Sequence, residues 1–207
     1  HIAKDILITG FNPSFRAGDD INSHSFDFQC TLKDTKWDNY WSSLKKIIYD
    51  PVNNIDLREK TAYLDIFYFR EKEQILFKKH ILTSQGGIRF AIDQMNLTQH
   101  TIENTIKPKV VIVKNRESAA YWGKLANKGF IWMGYHLDFV QDLACGELFR
   151  ISGLLDSTER ISPEIRDTNL KNSLILFTHH INQYTPKEKR PTASLINDLL
   201  DKYYSTE

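Results

Sequence analysis

The chain has 207 residues, of which 41% are hydrophobic, 26% charged and 12% aromatic, and its formal net charge is +1 at pH 7. That content is enough for one sizeable core and excludes intrinsic disorder, while the near-neutral charge excludes a globally basic nucleic-acid binder, so any grip on phosphates must come from a local patch. The two cysteines, Cys30 and Cys145, cannot furnish an iron–sulfur cluster or an all-cysteine zinc site and read as lone thiols of a reduced, cytoplasmic protein. No apolar run reaches the roughly 18–20 residues that cross a bilayer, so neither a membrane partner nor a secretory leader is expected.

In chain order, Ile6–Gly10 is a short apolar run bounded by Asp5 and by Asn12-Pro13-Ser14, a buried strand with a turn after it. Phe15 to Asp34 is polar and mixed and reads as a long loop of the functional or mobile kind. Trp37, Tyr40, Trp41, Leu44, Ile47 and Ile48 recur at helical spacing, so a helix is predicted over Trp37–Tyr49, ended by Pro51. Thr61–Phe69 is a second buried strand, aromatic and interrupted by Asp65. Glu71–Leu82 is predicted helical, Gly86-Gly87 a break, and Ile88 to Ile106 one face of a long helix.

Val110–Val113 is a third buried strand and Arg116–Ala126 the next helix. Phe130–Val140 and Glu147–Leu155 read as an antiparallel hairpin added near the sheet edge. Ser173–Thr178 is a further buried strand, and Pro191 opens a last helix with Leu195, Leu199, Leu200 and Tyr203 inward. Alternating strands and helices predict a single α/β domain over residues 1–207. Its centre is a mostly parallel four-stranded sheet between two helical layers, plus the hairpin.

Ligands of such sheets bind beyond the carboxyl ends of the strands. The rule gathers three segments on one rim: Phe11–Ser14, Tyr68–Arg70 and His179–Tyr184, with the first and last parallel strands expected to end side by side. Gly10 permits a sharp turn there, and Pro13 restricts Asn12 so that its amide points in one direction, fit to orient a water. The same residues also make an ordinary strand-exit turn. His179 and His180 point opposite ways if the strand continues, so one faces the cleft and can donate a hydrogen bond to a developing anion, or both are solvent-facing. Adjacent histidines without acidic or cysteine partners make a poor zinc site, and neither a metal nor a cofactor is expected. Lys187, Lys189 and Arg190 form a basic tip for phosphates, or a solvated charged turn diluted by Glu188. Phe26 or Phe28 can cap a flat substrate or anchor its loop.

Together these pieces resemble the uracil-DNA glycosylase superfamily. ILITG-FNPS (Ile6–Ser14) is similar to its first motif, a strand ending in Gly-x-Asn-Pro-Gly or Gly-x-Asn-Pro-Ser. Asp38-Asn39-Tyr40-Trp41 is similar to Asn-Arg-Phe-Trp of the mismatch-specific branch. Lys107–Val113 with Glu117–Leu125 resembles the middle strand and helix, and ILFTHHINQYTP (Ile175–Pro186) the closing motif, with His179-His180-Ile181-Asn182 in place of His-Pro-Ser.

The resemblance implies a monofunctional hydrolase of N-glycosyl bonds that removes uracil or a related damaged or mismatched base, flipped from DNA. Asn12 matches the water-orienting position and His179 or His180 the group bonded to the departing base. Gly10, Phe11, Pro13, Ser14, Phe26, Phe28 and Asp65 would shape the base site. Asn182, Gln183, Tyr184, Lys187, Lys189 and Arg190 would meet the duplex. DNA is the partner implied, and a monomer the state expected. Two other readings stand beside this one: a non-catalytic nucleic-acid or nucleotide binder of the same fold, and an unrelated small-molecule α/β enzyme.

Overall fold

The computed structural model describes residues 2–14, 27–156 and 158–205. Its strands are β1 (Ile6–Gly10), β2 (Tyr49–Asp50), β3 (Ile55–Asp56), β4 (Thr61–Asp65), β5 (Val110–Val113), β6 (Tyr135–Leu143), β7 (Gly146–Leu154) and β8 (Leu174–Thr178). The helices are α1 (Phe28–Lys33), α2 (Trp41–Lys45), α3 (Gln74–Ile81), α4 (Gln85–Thr101) and α5 (Ala193–Tyr204). The main sheet has six strands, not four, in the order β4-β1-β5-β8-β7-β6. The first four are parallel, and β7 and β6 extend them antiparallel, with β2 and β3 pairing separately. The hairpin read from the sequence is thus an integral edge of the sheet.

β1 and β5 are buried at every position, as expected of strands covered on both faces, and so is β8. Alternate residues feed two cores. Leu7, Val111, Val113, Ile175 and Phe177 meet Phe77 of α3, Ala91 and Met95 of α4, and Trp122. Ile6, Ile8, Val110, Ile112, Leu174 and Leu176 meet Phe28 and Leu32 of α1, Leu44 of α2, and Ile196, Leu199 and Leu200 of α5. The α/β class and the parallel centre therefore stand. The strand neighbours differ from expectation, because β5 lies between β1 and β8.

Several boundaries move for local reasons. The helix predicted over Trp37–Tyr49 shrinks to α2. Asp38 Oδ1 accepts from the backbone of Tyr40 and Trp41, which makes a turn before it, and Tyr49 joins β2. The segment read as loop to Asp34 contains α1, whose N-cap Asp27 accepts from the Cys30 N–H. Gly86-Gly87 does not break the chain but starts α4 behind the Ser84 cap. A Cβ on Gly87 would collide with the Ile81 carbonyl, so glycine allows α3 and α4 to approach closely. The helix over Arg116–Ala126 is instead a 3-10 turn, Arg116–Trp122, closed by Gly123 at φ +100°. Pro191 does not open α5; it precedes the Thr192 cap.

One buried carboxylate ties the layers together. Glu103, in the wide turn Ile102–Ile106 after α4, accepts from the Tyr135 hydroxyl of β6 at 2.9 Å, the Thr168 hydroxyl at 2.6 Å and the Asn169 N–H at 2.7 Å. Its truncation would leave two buried hydroxyls and the half-buried Asn169 N–H without this partner. Glu103→Ala is therefore expected to cost about 3 kcal/mol or more in urea unfolding; a loss under about 1 kcal/mol would refute this role.

Candidate functional site

Three parallel strands end at one level. Gly10 of β1 is in register with Asp65 of β4, and on its other side Lys114 follows Val113, the partner of Thr9. Gly10, Tyr63, Asp65 and Lys114 lie on the same sheet face, because side chains alternate along each strand. A Cβ on Gly10 would overlap the Asp65 carboxylate and the Tyr63 hydroxyl. Glycine is required here because its neighbours' side chains occupy the space above it.

In that notch a hydrogen-bonded chain crosses the strands. Lys114 Nζ donates to the Tyr40 hydroxyl, Tyr40 and Tyr63 hydroxyls are 2.6 Å apart, and Tyr63 donates to Asp65 Oδ1 at 2.9 Å. Since Tyr63 uses its one proton on Asp65, Tyr40 must donate to Tyr63, and every bond runs from the lysine toward the carboxylate. The ammonium also stands 3.6 Å from the Tyr40 ring centroid and 5.6 Å from that of Tyr63. Lys114 is only 3% exposed. Burial raises Asp65 to about 6, against the opposing pull of Lys114 and the Tyr63 bond. Burial likewise lowers Lys114 to about 8, opposed by Asp65. Both tyrosines are held above the ordinary phenol range, first by burial and then by the Asp65 charge.

Beside this notch lies an open depression of about 480 Å³, within the range of small-ligand clefts. It is lined by Glu73, Gln74 and Ile75 after β4, by Asn115, Arg116 and Glu117 after β5, and by His180 after β8. Of the three rim segments expected to meet, only His179–Tyr184 contributes a lining residue; Phe11–Ser14 and Tyr68–Arg70 do not line it. Of the paired histidines, His180 is the one that lines it. Although open to solvent, the His180 ring is lowered below the ordinary imidazole value by the protein around it and then by Lys114, which keeps it neutral at pH 7.

Asn12 is not among the lining residues. Its Nδ2 donates to the Pro13 carbonyl at 3.1 Å and the Glu71 carbonyl at 3.0 Å. Two carbonyl acceptors settle the orientation of the amide, since only the nitrogen can donate, and leave Oδ1 as the group that can hold a water. Asn12 and His180 follow strands separated by β5, whose axes are about 10 Å apart by two strand spacings, and the Asn12 amide turns to the Glu71 carbonyl on the β4 side.

The remaining expected residues divide. Phe11 turns inward, its ring 5.2 Å from those of Phe67 and Phe77, so it anchors the core instead of facing a substrate. Phe28 packs on Tyr63 and Trp41 at the edge of the notch; Phe26 lies outside the described residues. Ser14 is exposed and its carbonyl accepts from Arg70. Asn182 is a turn former, its Oδ1 accepting from the backbone of Tyr184 and Thr185. Arg190 is not a free cation of the tip, because it donates to the Thr185 and Gln183 carbonyls at 2.7 and 3.0 Å and holds the loop closed. Lys187 and Lys189 are exposed, and Tyr184 at the loop tip is 82% exposed.

Sequence reading missed Lys114 and the joint role of Tyr40 and Tyr63. The available signal was a lysine directly after the run Val110–Val113, level with the aspartate that interrupts the aromatic strand. Among the described residues no group of three or more His, Cys, Asp or Glu is placed to hold a metal ion, and no helix is long and apolar enough to cross a membrane. No protein-family model matches the chain, and no curated protein matches it.

Two outcomes follow from the notch. Gly10→Ala is expected to destabilise the fold by at least about 2 kcal/mol, and Asp65→Ala in the same chain should restore part of the loss, read as non-additivity in urea unfolding. Because the Asp65 pKa is raised from 3.8 to about 6, the folded chain holds that proton more tightly than the unfolded chain. The carboxyl's contribution to stability is therefore full at low pH and is lost as pH rises through about 6. Relative to Asp65→Asn, wild type should lose about 2 kcal/mol between about pH 4 and pH 7; parallel stability curves would show that the carboxylate is not buried.

Proposed function

We propose that this chain is a glycosylase-like protein that hydrolyses the bond between a damaged or mismatched base and its deoxyribose in DNA, with a three-layer domain of the uracil-DNA glycosylase kind. One observation carries this reading: the Asn12 amide is locked by two backbone carbonyls so that its oxygen alone is left to direct a water. A neutral His180 on the neighbouring depression supplies the second group.

The chemistry needs both. As the C1′–N bond breaks, its electron pair leaves with the base and the sugar gains oxocarbenium character. An N–H of neutral His180 donates to the base as its negative charge develops. A water donating to Asn12 Oδ1 presents its lone pair to C1′, forms the new C–O bond, and releases a proton to solvent. β1 and β8 are two strand spacings apart, about 10 Å, so a base held by both groups would lie over the end of β5. Tyr184, exposed at the tip of the loop after β8, is suited to stack in the duplex where the base has left, and Lys187 and Lys189 to meet phosphates.

The test is base release from single- and double-stranded oligonucleotides carrying uracil, thymine mismatches, hypoxanthine or xanthine. Abasic product is expected from at least one, with Asn12→Ala lowering the rate about 100-fold or more while circular dichroism is unchanged. Well-folded protein that releases no base from any of them would overturn the reading. The near-neutral charge and the internal use of Arg190 favour a second reading, a non-catalytic nucleic-acid or nucleotide binder. In that case Asn12→Ala leaves binding, measured by fluorescence anisotropy, unchanged.

A further inference from the structure

Asp65, which the resemblance places at the base site, instead accepts from the Tyr63 hydroxyl in the notch. The proposed hydrolysis is thereby left without a group that tells one base from another. A base held by Asn12 and His180 would lie over the end of β5, and two residues past that end stands Asn115. Asn115 is only 7% exposed, yet it lines the depression. Its backbone is still extended, at φ −145° and ψ 126°, before the turn Arg116–Trp122 begins.

The Asn115 side chain has one atom committed and one free. Oδ1 accepts from the Glu117 N–H at 2.9 Å and caps the turn. Only the oxygen can accept, so this bond settles the orientation of the amide. Nδ2 has no hydrogen-bond partner among the described residues and is not sealed from solvent. The open side of this otherwise buried residue is the depression. A rigidly held amide with two unused N–H donors facing a cleft is built to meet an acceptor oxygen.

We propose that Asn115 selects the base in this depression by donating from Nδ2 to a ring carbonyl oxygen, so that keto bases are accepted and amino bases refused. This rests on the glycosylase-like reading for its place in a reaction, while the selection itself requires only that a base bind. The rest of the lining suits an uncharged planar ligand. Glu73 and Glu117 against Arg116 leave no excess positive charge for a phosphate, and Lys78 is already paired with Glu117. Ile75 offers apolar surface to the face of a ring.

Asn115 and His180 divide a pyrimidine between them. As the C1′–N bond breaks, negative charge collects on the ring nitrogen and the carbonyl oxygen beside it, which is the edge that His180 serves. Asn115 follows β5, the strand paired with β8, and is left the carbonyl across the ring. The axes of paired strands are about 4.8 Å apart, a span comparable with that between the two oxygens of a pyrimidine-2,4-dione. Uracil and thymine present an oxygen at that position. Cytosine presents an amino group, which sets donor against donor and leaves the Asn115 amide unpaired.

The experiment titrates free uracil and free cytosine into isotope-labelled protein and follows the side-chain amide resonances of Asn115 by NMR; it needs neither DNA nor turnover. Saturable shifts are expected with uracil, and cytosine should bind about tenfold or more weakly. Asn115→Asp keeps an oxygen for the Glu117 N–H and exchanges the donor for an acceptor, so the order should reverse, with cytosine the tighter by about tenfold. If that variant does not fold, Asn115→Ser, which can still cap the turn but has no amide, should bind the two bases alike. Selective uracil binding at Asn115 by protein that releases no base from any oligonucleotide would support the selection and count against the hydrolysis. Equal binding of the two bases by wild type, an unchanged order in Asn115→Asp, or no saturable shift with uracil would overturn the proposal, and base release in any of those cases would leave the hydrolysis standing.

Discussion

Asp65 and Lys114 are brought together because the strand between them ends in a residue with no side chain. β4, β1 and β5 run in parallel register, and at the level of Gly10 the outer two carry opposite charges over an empty middle position. Two tyrosine hydroxyls fill the gap and join the charges, while Trp41 and Phe28 close over Tyr63. The carboxyl rim of the sheet is thereby tied to α1, α2 and the segment before α2. The exit of β1 toward Asn12, the exit of β4 toward Glu71 and the exit of β5 toward Asn115 leave from this one assembly. The direction of the Asn12 amide depends on it too, since the Glu71 carbonyl that holds it lies six residues beyond Asp65.

The other end of the sheet is managed differently. Glu103 lies under the hairpin side, its oxygens bonded by Tyr135, Thr168 and Asn169. Lys124, paired with Glu147, covers the rings of Phe149 and Phe177, each 5.3 Å away. β6 is an edge strand with irregular register against β7 and with Asp138 and Asp142 along it, features that discourage pairing with another chain. The buried charged network and the protected edge therefore lie on opposite sides of β8.

The parallel strands were legible because Ile6–Gly10, Val110–Val113 and Leu174–Thr178 are apolar on both faces, a pattern set by burial alone. The hairpin was legible from its alternation, though not its place as the sheet's edge. The helices were less legible. α2 is cut short by Asp38, whose side chain offers the backbone a turn, and the turn Arg116–Trp122 tightens because Gly123 ends it in the left-handed region. Asn12 and His180 could be read as rim residues from strand polarity, but their separation by β5 depends on strand order, which no local pattern encodes. Lys114 escaped notice because a lysine after a strand is usually solvated. Only the register of three strands shows that it is buried. Arg190 was misread for the converse reason: nothing in Lys187–Arg190 reveals which cation turns back on its own loop.

A buried ion pair is a weak stabiliser. Removing two charges from water costs several kcal/mol each, and well-packed apolar side chains of the same volume often serve the fold as well or better. The shifts at Asp65 and Lys114 carry this cost in their direction, each toward the neutral form. Strand register does not demand the pair, since Ile6, Ile8, Val110 and Ile112 already align β1 and β5 through apolar contact below it. Nor does Gly10 by itself, because a small side chain there with smaller neighbours would fill the same space. What the pair adds is a proton acceptor and a proton donor a few ångströms below the rim, joined by hydroxyls and shielded from solvent. Paired groups pushed toward one another in pKa are characteristic of sites where protons move. The most unusual arrangement of this rim therefore lies in the buried groups at the ends of β4 and β5, and not in the loop residues that first drew attention to it.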